Sequence, residues 1–204
     1  MELLCVIGIM GIIVVAAIPA LNPMMKASQL TQSGQLMGDQ LKLASQTALA
    51  RNCNVEVRFY QYADADRPGS TGGTDHFQAM QLFVLQDSGA AVPLGKLQRL
   101  PASVLIDSGA KLSSLLDASG SPDLEKTWTP TDPKLDLPRI GSSYRCLAFR
   151  FLPSGATSLK ATGSAPWFLT LHGLNEGDAL SEPPANFYTI QIDATNGHLK
   201  TFRP

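Results

Sequence analysis

The chain has 204 residues, a net charge of −1 and only 16 % charged residues. A near-neutral balance with so few cations excludes nucleic-acid binding driven by bulk charge, and the low charged fraction suits a surface partly covered by neighbours. The length allows one or two domains and leaves about 180 residues past the first apolar segment, ample for one core.

Residues 3–21 form an apolar run without a charge, directly behind Glu2. At ~1.5 Å per residue the run spans roughly 28 Å as a helix, enough to cross a hydrocarbon core. A cleaved secretory signal fits poorly, because no basic segment precedes the run and the run exceeds a typical signal core. A plain signal anchor explains the hydrophobicity but not Glu2, Gly8, Gly11 or Pro19. An acid at membrane depth is costly and usually has a partner or a function. The bland account leaves Glu2 solvated at the headgroup level. In the other account such helices leave the membrane and bundle side by side, and Glu2 then needs the terminal ammonium of a neighbouring copy.

This stretch resembles the processed amino terminus of type IV pilins and type II secretion pseudopilins. The matching residues are Glu2, the run Leu3-Leu4-Cys5-Val6-Ile7, Gly11 and Pro19, and the interval from Glu2 to Pro19 is the family's own. The resemblance implies assembly into a helical homo-oligomer through Glu2, Leu3, Leu4, Val6, Ile7, Gly11 and Pro19. It also implies residence in the inner membrane before assembly, a prepilin peptidase, N-methylation, an assembly machinery, and unwinding between Gly11 and Pro19 once subunits pack. Only Met1 precedes Glu2, so the sequence is expected to start a few residues inside the mature protein.

Beyond the apolar run, Leu30, Met37, Leu41, Ala44 and Ala48 recur at helical spacing, with Gln and charged residues largely elsewhere. This predicts an amphipathic helix ending near Asn52. The two helical halves together would make a rod of about 75 Å. Pro19 and Pro23 are expected to interrupt it, since each removes a backbone donor, and Gly11 is a second weak point. The expected organisation is a membrane or filament-core segment over 1–23 and a head over 24–204, with helix 24–52 and a sheet from 54 onward.

In "NVEVRFYQY", Val55, Val57 and Phe59 alternate with Glu56, Arg58 and Tyr60, which predicts a strand with one buried face. "FQAMQLFVLQ", "LGKLQRL", "VLIDSG", "RCLAFRFLPSG", "PWFLTL" and "FYTIQID" supply further strands. Asn196-Gly197 between two alternating runs predicts a hairpin with positive φ at both turn residues. The fold class is α+β: a long N-terminal helix packed on a mostly antiparallel sheet. The junction "LKLASQTALARNCNVEVRFY" resembles H-type pseudopilins. The scattered blocks "QTALARN", "VEVRFY", "IDSG" and a closing "PPANF" and "QID" resemble the Verru_Chthon cassette type D pilin-like proteins. Residues 61–75 and 106–143 read as surface loops, the second long enough to pack on a neighbour or hold a short helix.

Catalytic patterns are lacking. His76, His172 and His198 have no zinc spacing, and there is no nucleophile elbow, phosphate loop or dinucleotide fingerprint. No cofactor is expected, and the chain is not read as an enzyme. Asp64, Asp66 and Asp75 surround a Gly-rich loop but lack an EF-hand pattern, so a solvated turn is preferred over a calcium site. His198, Lys200 and Arg203 form a small basic tail that would neutralise few phosphates. Cys53 and Cys146 could pair as a disulfide in an exported protein, or stay as two buried thiols. The leading expectation is a structural subunit of an extracellular type IV pilus-like filament at the cell surface. The alternatives are a minor pseudopilin of a secretion system and a membrane-anchored surface or DNA-binding module.

Overall fold

The computed structural model describes residues 2–63, 75–116, 137, 141, 144–161 and 166–204. Among the described residues one α-helix, α1 (Glu2–Arg51), runs into nine strands: β1 (Val55–Tyr62), β2 (His76–Leu85), β3 (Ala91–Pro93), β4 (Gln98–Arg99), β5 (Val104–Ile106), β6 (Arg145–Phe151), β7 (Trp167–Gly173), β8 (Phe187–Ile192) and β9 (Leu199–Phe202). The fold is α+β, a long N-terminal helix laid on an antiparallel sheet of order β6-β1-β2-β5-β7-β8-β9. Short β3, β4 and β5 line the second edge of β2 in succession.

The expected break at Pro19 and Pro23 does not occur, because α1 is continuous through both. Each proline forfeits its own bond to the carbonyl four residues earlier. The bonds on either side remain, and a helix this long tolerates the two gaps. At ~1.5 Å per residue its 50 residues span about 75 Å. The helix stops where predicted. Asn52 takes a left-handed φ of 49°, and the Cys53 amide donates to the Ala48 carbonyl at 3.2 Å, the closing bond of a Schellman cap.

Leu30, Met37, Leu41, Ala44 and Ala48 are buried against one sheet face, as their spacing predicts. Val55, Val57 and Phe59 meet them from β1, and Leu147, Phe149 and Phe151 from β6. At Gly34 the helix backbone lies on the Tyr188 ring of β8, and a β-carbon there would fall inside the ring. Glycine is thus required for close approach, although it is otherwise a poor helix former.

The one-faced reading of β1 needs correction. Glu56, Arg58 and Tyr60 are as buried as their neighbours. β1 lies between β2 and β6, and its far face carries a second cluster of Tyr60, Tyr62, Ala79, Leu137 and Cys146, with Leu97 and Tyr144 against it. The last hairpin also differs. Gly197 has a φ of 65°, whereas Asn196 does not adopt a positive φ. The loop is instead held by the Asp193 carboxylate, which accepts from the Thr195 amide and hydroxyl, and by the Gly197 amide on the Asp193 carbonyl. The connection after β5 begins by packing inward, with Leu112, Leu115 and Leu116 buried in the chain's own core. Asp64, Asp66 and most of 106–143 lie outside the described residues.

Gly34→Ala should lower unfolding stability by about 1–3 kcal/mol, the usual cost of overpacking. Tyr188→Leu should restore part of it in the double variant. Urea titrations of the three proteins check this, and a neutral Gly34→Ala would show that helix and sheet are not so closely seated.

Candidate functional site

The sequence directs attention to the first half of α1. The structure describes Glu2, Leu3, Leu4, Gly11 and Pro19 as helix backbone, and their side chains lie outside the described residues. Val6, Ile7 and Met10 are described, and they are 51 %, 59 % and 63 % exposed. The sheet takes up α1 only from about Ala27 onward, where Arg203 Nη2 donates to the Ala27 carbonyl at 3.4 Å. Before that point Met24 and Met25 are bare. Helical periodicity places Ile7, Met25, Leu36 and Leu43 within about 20° of one line along the rod, and all four are exposed. Among the described residues, no helix is long and apolar enough to cross a membrane.

Two buried polar networks lie in the head, and the sequence reading missed both. In the first, Arg58 Nε donates to Glu56 Oε1 at 2.7 Å and Arg150 Nε to Glu56 Oε2 at 3.0 Å. Register explains it: Glu56 stands opposite Arg150 on β6 and Phe83 on β2. The Arg58 guanidinium sits 4.1 Å over the Phe83 ring, which supplies attraction in a dry setting. Burial, then the nearby Cys146 thiol, raises the pKa of the adjacent Tyr60 hydroxyl and keeps it neutral. The signal was in the period-two pattern itself, since Glu56, Arg58 and the paired Arg150 fall on one face.

In the second, His172 Nε2 donates to Asp107 Oδ2 at 3.1 Å and His172 Nδ1 to the Gly173 carbonyl at 3.1 Å. Asp107 also accepts from the Gly109 and Leu180 amides. Both groups are fully buried. Burial pushes the Asp107 carboxyl up, but the bonds from His172, Leu180 and Gly109 together outweigh it and lower its pKa. Burial likewise pushes the His172 imidazole down, and the bonds to Asp107 and Gly173 with the Asp107 charge raise it. With both ring nitrogens donating, His172 is an imidazolium with no lone pair to accept a proton. The pair is therefore a structural anchor and not a general base. A companion contact joins His76 Nδ1 to Asp178 Oδ2 at 3.0 Å, while Asp178 Oδ1 accepts from the Ser108 and Ala179 amides. Together they fasten the loop between β7 and β8 to the ends of β2 and β5. Histidines far apart in sequence thus meet aspartates brought in by non-local strand pairing.

No disulfide joins Cys53 and Cys146. Cys53 packs on the helix-side core and Cys146 belongs to the cluster on the far face. Cys146 stands opposite Tyr60, whereas Cys53 precedes Val55, so at ~3.3 Å per residue they lie about 16 Å or more apart. That exceeds the reach of a disulfide. His198 and Lys200 are exposed, and Arg203 is committed to Ala27 and to Asn186 Oδ1 at 3.2 Å. Among the described residues, no group of three or more His, Cys, Asp or Glu could hold a metal ion.

No family model and no curated protein matches the sequence. Among solved structures the chain is similar to two of the minor pseudopilin EpsH from the type II secretion system of Vibrio cholerae. One is 13 % identical with a TM-score of 0.46, covering 86 % of this chain and 98 % of that chain. The other is 14 % identical with a TM-score of 0.46, covering 87 % and 96 %. Likeness at this level assigns no function.

Asp107→Asn removes the counter-charge of a buried imidazolium and should cost about 3–5 kcal/mol. The raised His172 pKa makes its contribution full below the unfolded value near 6.5 and lost as pH rises through the folded value. The lowered Asp107 pKa makes its contribution present above about 3.8 and lost as pH falls through the folded value. The wild-type advantage over Asp107→Asn should therefore be greatest between these limits, as denaturant titrations across pH will show. The mobility of the full chain on denaturing gels should be unchanged by reductant, and a reductant-sensitive intramolecular species would overturn the placement of Cys53 and Cys146.

Proposed function

We propose that the chain is a structural subunit of a type IV pilus-like filament, held first in a membrane and then assembled through the first half of α1. The observation that carries this reading is the division of one unbroken helix. Its second half is buried by the sheet, while the described apolar side chains of its first half have no partner within the chain. The apolar run of residues 3–21, roughly 28 Å long as a helix, with Val6, Ile7 and Met10 exposed, calls for lipid or for other such rods. At roughly 25 cal/mol per Å², rod-on-rod burial provides most of the association energy. Glu2 then enters the bundle and meets the amino terminus of the next copy, and Leu3, Leu4, Val6, Ile7, Gly11 and Pro19 supply the contact around it. A buried carboxylate without its counter-charge penalises every other register.

The head has a complementary role in this reading. Its buried ion networks and inward-packed loops make it a rigid outer shell, and both ring nitrogens of the buried His172 are engaged. A minor pseudopilin that primes a secretion filament uses the same assembly chemistry, and subunit abundance in sheared surface material separates the two.

Glu2→Ala in the source cell should reduce sheared filament by at least about a hundredfold, equivalent to about 3 kcal/mol for an orphaned buried charge. Filaments of normal yield and register would refute the role of Glu2.

A further inference from the structure

Where α1 leaves the head, the structure gathers a small amphipathic collar. Met24 and Met25 are 71 % and 60 % exposed, and Phe202, at the end of the edge strand β9, is 50 % exposed. Lys26 is exposed and makes no ion pair among the described residues. Arg203 is brought to the same level by its bonds to the Ala27 carbonyl and Asn186. The chain's own C-terminal strand thus brings a guanidinium to the emerging helix, while Phe202, paired with Thr189 on the sheet face away from α1, stands at the same end of the sheet.

The position of the collar fits one environment. Counted from Leu21, the last residue of the apolar run, Met24 to Ala27 lie roughly 4.5–9 Å farther along the axis. The polar layer of a bilayer extends about 5–7 Å beyond the hydrocarbon on each side. A helical side chain leans toward the N-terminus of its helix, so Lys26 reaches back toward the phosphates, as snorkelling cations do. A half-exposed aromatic and two methionines suit the boundary between acyl chains and headgroups. Glu176 is exposed on the turn after β7, which is tied through Ser103 to Gln29. Gln29 lies one turn from Lys26 on the same side of α1 and about 160° from Ala27, so this acid offsets Lys26 in part and stands across the helix from Arg203.

We infer that Met24, Met25, Lys26, Phe202 and Arg203 form a docking surface for anionic phospholipid headgroups, which seats the head on the bilayer before assembly. This rests on the membrane stage of the function proposed above. Entry into a filament then requires the head to lift off, so the collar biases the subunit toward its membrane-bound state. Lys26 and Arg203 act on lipid phosphate, and Phe202 adds burial in the interface.

The test uses the full chain reconstituted into vesicles of phosphatidylcholine alone and of phosphatidylcholine with phosphatidylglycerol. Retention after an alkaline carbonate wash reports insertion of residues 3–21. Amide hydrogen exchange over 24–29 and 199–204 reports the collar. Exchange in these segments should be roughly fivefold slower on the anionic vesicles, the equivalent of one cation at the surface. The difference should vanish in high salt and in Lys26→Glu, a change that breaks no contact within the head. Equal exchange on both lipids by inserted protein overturns the collar alone. Failure of the chain to survive the wash on either lipid overturns the membrane stage, and the collar with it.

Discussion

A single helix here has to satisfy two environments, and the rest of the structure follows from how it does so. From Leu30 to Ala48 the buried face of α1 is the spine of the head's core, packed on β1, β6, β7 and β8. The seat is close enough that Gly34 is the only residue type that fits over Tyr188. The helix does not break at Pro19 or Pro23, so the element gripped by the sheet is the same one that carries the apolar run. The head becomes a rigid handle on an apolar rod.

Rigidity in the handle comes from charges kept where water is not. Glu56 binds two arginines on the face of the sheet away from α1, and Asp107 binds His172 inside the fold. Such pairs add little net stability over apolar packing, but removing one partner is expensive. Their effect is to penalise alternative strand registers, since a one-residue slip would carry Glu56 to the apolar face beneath α1. The loop between β7 and β8 is held the same way, by Asp178 on His76 and by the Leu180 amide on Asp107.

Much of the fold is written in local pattern. The core stripe of α1, its end at Asn52, and the longer strands all follow from spacing and propensity. Other features depended on information that a linear reading does not contain. Glu56, Arg58 and Tyr60 look like a solvent face until β6, about 90 residues later, and the cluster around Tyr62 cover them. Tyr188 explains Gly34 only after a sheet order formed by distant strands. Strand β3 is three residues long, too short for periodicity to register. Pro19 and Pro23 misled because proline's local penalty was weighed without the bonds that flank it. For the candidate assembly site, legibility was the reverse. Glu2 and the apolar run stood out in the sequence as a charge and a hydrophobic block, whereas most of their side chains lie outside the described residues.

Electron cryo-microscopy of filaments sheared from the source cells tests most directly whether the first half of α1 packs against copies of itself. The account predicts rods of residues 3–21 bundled at the filament axis, heads outside, and each Glu2 within ion-pair distance of an adjacent amino terminus. Rods lying at the filament periphery, or a Glu2 facing solvent in the assembled state, would contradict it.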